Sequence, residues 1–346
     1  MSYCLHPTCP SPQNPDDQKV CRTCGTKLLL KSRYRATRLS LEGEFVRTFQ
    51  GLDLQTAQKI IIKQILLPTE ILRNRAKQQR IINLFNEAAQ KLQGLTKVVN
   101  LHTPLDYSVM GNGLYLIEEA VAGETVAQLL EKQGQFKEKQ IRQLLNDLLP
   151  SLQELHDSKF IHRDIRPENI VYSHHLGQFL LTNFGIPQLV AECLREDVPS
   201  TGEYMVGDPS YSSPEQVNGQ AAPTSDVYSL GVVCLQALTA MKPIDLMGLH
   251  DSSWAYKAYL TENLISKQLQ QVVDQMTAPS ALNRYVSAKN ALTDLTASTD
   301  SSMEQVMATA AKIAAIVALP TPLTLLQSGA GLVTKSLLKL PGKAKS

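Results

Sequence analysis

Cys4, Cys9, Cys21 and Cys24 read C-x4-C, an eleven-residue gap and C-x2-C-G, so four of the six cysteines lie within the first 24 residues. Zinc takes four thiolate or imidazole ligands in a tetrahedron, and a pair split by a short turn presents two sulfurs to one ion. Gly25 after the second pair lets the backbone fold back beneath the metal. Two disulfides, or four unrelated cysteines, are the alternative reading. The N-terminal run MSYCLHPTCPSPQNPDDQ has no apolar signal core, which points to a reducing cytoplasm with thiolates free for metal. Four ligands leave no open coordination position, so the expected role of the zinc is structural. A module of about 25 residues buries too little for a core, and metal binding itself would supply its folding energy.

The second place with chemistry is HRDIRPEN, residues 162–169, followed fourteen positions after Asn169 by Asn183 in LLTNFG. What must position these residues is a chain of 346, long for one domain, with 43% hydrophobic residues and a net charge of +2. That charge gives no global push toward nucleic acid or an anionic membrane. The cysteine module also lacks interleaved aromatic and basic residues, so no nucleic-acid partner is expected. Between about 33 and 298, apolar runs such as QKIIIKQI and GLYLIEEAV predict strands. QIRQLLNDLLPSLQELHD, with apolar residues three and four apart, predicts an amphipathic helix. Three regions follow: 1–30, a zinc-binding module; 33–298, the main domain; and 299–346, an apolar extension after the polar linker TASTDSS.

From about Tyr34 to Leu295 the order of motifs resembles a eukaryotic-type Ser/Thr protein kinase. The four-cysteine segment running into KLLLKSRYRATRLS resembles a cyanobacterial subgroup of these. The resemblance implies a two-lobed α+β kinase fold with a zinc-ribbon-like N-terminal module and a helical C-terminal extension. It also implies roles for particular residues. Lys63, ending KIIIK, would pair with the α/β-phosphates of ATP, and Glu87 in LFNEAAQKL would position it. Asp164 would receive the substrate hydroxyl proton, Arg166 would neutralise the transferred phosphate, and Asn169 would hold a second metal. Arg163 marks the type whose activation segment often docks a phosphate or an acid on it, and Ser200, Thr201 and Tyr204 lie in that segment. Glu119 to Val121 would form the adenine hinge, with Glu118 guarding the back pocket. Glu215, Asp226 and Arg284 resemble the residues that hold the large lobe together.

Several positions depart from the family pattern on the phosphate side. Asn183 stands where the family has a magnesium-binding aspartate. Magnesium is a hard cation held by carboxylates and phosphates, and an amide oxygen is neutral. A unit charge about 4 Å away is worth ~4 kcal/mol at an effective dielectric near 20, and a divalent ion roughly doubles that. Losing half of it is about a thousandfold in rate. In LEGEFV, Leu41, Gly43 and Val46 take the three phosphate-loop glycine positions, so only Gly43 allows close backbone approach. Glu42 and Glu44 flank it and would repel a triphosphate unless they point to solvent. Asp208 replaces a threonine near Asp164, and a salt bridge from Arg166 to Asp208 across the cleft is one expectation, with independent drift of both positions the other.

In the extension, Ser301 and Glu304 form a capping box. The 22 uncharged residues between Lys312 and Lys335 are broken by Pro320 and Pro322. Helices docked on the large lobe or a partner, membrane-surface or re-entrant association through 303–346, and a disordered tail are the readings this leaves open. The expected protein is therefore a kinase-like regulatory or scaffold protein, a pseudokinase with structural zinc and weakened magnesium binding. ATP would still be able to enter, and a protein partner would bind the zinc module or the tail. A weakly active Ser/Thr kinase and a membrane-associated adaptor are the alternatives.

Overall fold

The computed structural model describes residues 1–43, 45–95, 100–197, 208–247, 254–260 and 263–297. Contacts divide the chain into Met1–Leu295 and Thr296–Ser346. The expected C-terminal helices, the Ser301–Glu304 capping box and the tail's membrane contact lie outside the described residues, as do Ser200, Thr201, Tyr204 and Glu44. Among the described residues no helix is long and apolar enough to cross a membrane.

The small lobe is a six-stranded sheet. In chain order, the strands from the N-terminus to this sheet's far edge are β1 (Ser2–Tyr3), β2 (Gln13–Asn14), β3 (Leu29–Leu30), β4 (Tyr34–Glu42), β5 (Val46–Asp53), β6 (Lys59–Leu66), β7 (Asp106–Met110) and β8 (Gly113–Glu119). β1 pairs with β2 in a separate ribbon, and the sheet runs β3-β4-β5-β6-β8-β7. The predicted strands QKIIIKQI and GLYLIEEAV form its centre as β6 and β8, paired antiparallel with Lys63 opposite Leu116.

Strand alternation gives this sheet two unlike faces. Ile60 and Ile62 of β6 turn outward with Phe49, Tyr115 and Ile117 into one buried cluster. Ile65, Leu114 and Leu116 turn inward and join the main core. Helix α1 (Thr69–Leu72) and the long α2 (Arg75–Gly94) cover the inner face. α2 starts at Asn74, whose side chain accepts from the backbone N–H of Ala76 and Lys77.

The large lobe is mainly helical. It contains β9 (Glu124–Thr125), α3 (Val126–Gln133), α4 (Glu138–Asp157), β10 (Ile170–Ser173), β11 (Gln178–Leu181), α5 (Ile186–Asp197), α6 (Pro214–Val217), α7 (Pro223–Thr239), α8 (Pro243–Leu246), α9 (Lys267–Met276) and α10 (Ala288–Thr296). α4 is the predicted amphipathic helix: Ile141, Leu144, Leu145, Leu148, Leu152 and Leu155 face the core at three- and four-residue spacing. α7 is buried almost all round and forms the axle of the lobe.

Candidate active-site cleft and metal centre

α7 anchors the HRDIRPEN loop. The buried Asp226 carboxylate accepts from the backbone N–H of His162 (2.8 Å) and Arg163 (2.9 Å), and lies 2.8 Å from His156 Nε2. Burial works to raise Asp226, but His156, the nearby His162 and these N–H bonds outweigh it and hold the carboxyl low. The His162 ring joins the loop to the strand that precedes Asn183. Its Nδ1 accepts from Asp164 N–H, so Nε2 carries the proton and donates to Thr182 O at 3.1 Å. Burial lowers its pKa, which keeps the imidazole neutral for this bridging role.

The amide geometry beyond this loop decides what the cleft offers a cation. Asn169 Nδ2 donates to Asp164 O at 2.7 Å, which fixes its Oδ1 as the group facing Asn183. Asn183 Nδ2 donates to that oxygen at 2.5 Å. The two side chains that the family resemblance assigns to metal binding therefore satisfy one another. An ionised aspartate at 183 has no proton to give and would need a cation between the oxygens. Asn183 has φ 61°, a left-handed conformation that asparagine and aspartate tolerate, so the amide costs the backbone nothing extra.

The expected pairing of Lys63 with Glu87 does not form. Lys63 Nζ lies 2.8 Å from Glu118 Oε1, with both side chains buried. Glu118 sits opposite Ile61, so it is the diagonal neighbour of Lys63 on the inner face, within reach of two long side chains. Glu87 is on the opposite side of α2 from Ile81, Phe85, Ala88 and Leu92, which set the inward face; it pairs with Lys91 at the surface. Alternation along GLYLIEE, which puts Leu114, Leu116 and Glu118 on one face, is the sequence signal that reveals the true partner.

The Arg166–Asp208 bridge is also replaced by nearer partners. Arg166 Nε lies 3.6 Å from Asp164 Oδ1 and 3.7 Å from Glu168 Oε2, both two residues away along its own loop. Asp208 instead caps the 3-10 turn Pro209–Tyr211 by accepting from Ser210 N–H at 2.9 Å. Gly43 serves the hairpin: its N–H donates to Val46 O, and a Cβ there would come within 2.9 Å of that oxygen. Glu42 turns to Arg47 at 3.1 Å. At the hinge, His102 Nε2 lies 3.0 Å from Glu119 O, a contact with no signal in the sequence, while Val121 stays half-buried.

The four cysteine sulfurs lie within 4.8 Å of one another. Cys4 and Cys24 are 3.5 Å apart and Cys9 and Cys21 3.7 Å, too long for the ~2.05 Å of a disulfide. They are close to the ~3.8 Å edge of a tetrahedron with Zn–S near 2.3 Å. Asn14 Nδ2 and His6 N–H each approach a sulfur at 3.5 Å, as donors to thiolates do. Burial works to raise Cys21, but the N–H groups of Cys24 and Thr23 and the Asn14 amide hold it at about 6. These residues fit a structural zinc.

The four-cysteine module is also tied to the outer face of the sheet. Leu5 is buried in the cluster of Phe49, Ile62 and Tyr115. Its carbonyl accepts from Gln64 Nε2 at 2.9 Å and from Arg47 Nη1 at 3.5 Å. Gln64 precedes no gap in the alternation: it points outward where Lys63 points inward.

A two-lobed α+β architecture with a loop hung from a buried helix aspartate beside the cleft defines the protein kinase fold, to which an amino-terminal cysteine cluster is added here. The chain belongs to that family: residues 41–295 match the protein kinase domain. It is 30% identical over 84% of its length to serine/threonine-protein kinase B of Synechocystis sp. and 29% identical over 76% to serine/threonine-protein kinase PknA of Nostoc sp.. The chain spans about half the length of these relatives, 51% and 47%. The apo form of PpkA-294 superposes with a TM-score of 0.59 at 22% identity, covering 76% of this chain and 96% of that one.

Proposed function

We propose that this protein is a kinase-like regulatory or scaffold protein, a pseudokinase whose cleft makes poor use of magnesium-ATP. The Asn183–Asn169 hydrogen bond carries this reading, because it fills with an amide N–H the place where a divalent cation would neutralise phosphate. Lys63 engaged by Glu118, Arg166 lying beside Asp164, and a hairpin whose single glycine serves its own turn support it. Partner binding through the zinc module and the C-terminal extension completes the proposal, with the chain working in a reducing cytoplasm.

The test is thermal stability with ATP, with and without magnesium, followed by autophosphorylation. The expected outcome is no added stabilisation by magnesium and no phosphate transfer. Magnesium-dependent transfer that disappears in Asp164→Ala would overturn it. That outcome would favour the second reading, a slow Ser/Thr kinase, which rests on Asp164 still hanging from Asp226 through its loop and on the named kinase relatives.

A further inference from the structure

An anionic ligand entering the cleft has to compete for Lys63. The ammonium is 2.8 Å from Glu118 Oε1, and the two side chains are only 9% and 5% exposed. Their contact is set by strand register: β6 and β8 are central strands, with Ile61 opposite Glu118 and Lys63 opposite Leu116. To an ammonium, a carboxylate and a phosphate offer the same thing, an anionic oxygen at hydrogen-bond distance. Displacing Glu118 would leave a buried carboxylate unpaired, and bringing phosphates beside it would add like charge. Glu87, the other acid expected near Lys63, is at the surface with Lys91 and cannot take over the partnership without a turn of α2.

We propose that Glu118 is a specificity residue: an internal carboxylate that occupies Lys63 in place of a ligand phosphate, so that the cleft selects an uncharged purine nucleoside over its phosphate esters. The selection is against charge: with the Glu119 carbonyl held by His102 and the Ala120 N–H donating to Lys59 O, the backbone of Val121 is what the hinge offers a base. This rests on the cleft being a binding site that does not transfer phosphate.

Calorimetric titration of the full chain with adenosine, and with ATP without added metal, tests it in the wild type and two variants. The wild type is expected to bind adenosine at least as tightly as ATP. Glu118→Gln keeps the side-chain length but frees the ammonium charge, so ATP should tighten by about tenfold while adenosine is unchanged. The double variant Lys63→Met/Glu118→Met removes both charges together and avoids a lone buried ion should the single variant fail to fold. It should bind ATP within about threefold of the wild type, because Lys63 contributes nothing to phosphate binding while Glu118 holds it. ATP more than about tenfold tighter than adenosine in the wild type, unchanged ATP affinity in Glu118→Gln, or no adenosine binding at all would each overturn the proposal. Phosphate transfer by the wild type would overturn the pseudokinase reading itself, whereas unaltered ligand ratios without transfer remove only the role given to Glu118.

Discussion

Two of the chain's carboxylate–cation pairs, Glu215 with Arg284 and Glu118 with Lys63, are built differently. In the large lobe, Arg284 reaches Glu215 with two parallel bonds of 2.6 and 3.0 Å, and its remaining donors go to the carbonyls of Ala278, Pro279 and Thr224. Ser225 adds a further bond to the same carboxylate, and the guanidinium lies over the Tyr228 ring. In the cleft, Lys63 and Glu118 share a single bond, and among the described residues neither side chain has another. A fully satisfied pair locks its surroundings, since removing either partner orphans several groups at once. A singly bonded pair can be removed whole without orphaning any third group. The difference separates what holds this fold from what adapts its cleft.

The sharpest way to break that distinction is to remove each pair. Arg284→Ala should cost about 3–5 kcal/mol, because Glu215 and three carbonyls lose their partner. Lys63→Met/Glu118→Met should be close to neutral, since both charges leave together. Urea unfolding of the two variants measures this, and equal losses would mean that the cleft pair is as structural as the other.

Acid probes the same pair without mutation. Burial works to raise Glu215, yet Arg284, Ser225 and Ser213 outweigh it and bring its pKa from 4.5 down to about 2. A carboxyl lowered on folding stabilises fully above its unfolded value and loses that contribution as pH falls through the folded one. The Arg284 contribution should therefore be intact at pH 6 and fade between about 4.5 and about 2. Thermal melts of wild type and Arg284→Ala should converge across that window; a constant gap between them would contradict the assignment.

Zinc removal tests how the lobe carrying Lys63 is held from its other side. Leu5 is buried in the outer cluster and its carbonyl binds Gln64, the residue next to Lys63. Releasing the module withdraws that side chain, a loss of about 1.5–3 kcal/mol to the small lobe. Chelation should speed amide exchange in β5 and β6 and leave α7 protected. Uniform exchange before and after chelation would show that the module sits on the sheet without bracing it.

How much of this could be read from the chain depends on the range of the interaction. The strands around Lys63, the helix α4 and the cysteine cluster follow local periodicity and spacing, so they were legible. The docking of Leu5 was not, because nothing in a short cysteine module indicates which distant sheet this leucine will meet. The cleft lies between these cases. Motif order placed Lys63, Asp164, Asn169 and Asn183, but partner choice among neighbouring charges depends on register and helix facing. That is why Glu118 displaces Glu87 beside Lys63, and why Arg166 turns to Asp164 and Glu168 while Asp208 caps a turn.

The smallest expected effect is the most diagnostic for the cleft. Asn183→Asp exchanges one N–H donor for an oxygen of the same size, facing Asn169 Oδ1 at the position that now has a 2.5 Å hydrogen bond. Without metal, the variant loses that bond and sets a carboxylate against a carbonyl oxygen, which should cost about 1–2 kcal/mol. With magnesium, the same carboxylate would gain a cation to bind, and the loss should shrink or reverse. The measurement is the difference in melting temperature between the two proteins at rising magnesium. The wild type is expected to be indifferent and the variant to climb. If both respond alike, the amide at 183 does not stand in for a cation, and the contrast between the cleft pair and the pair that holds the large lobe has to rest on Lys63 and Glu118 alone.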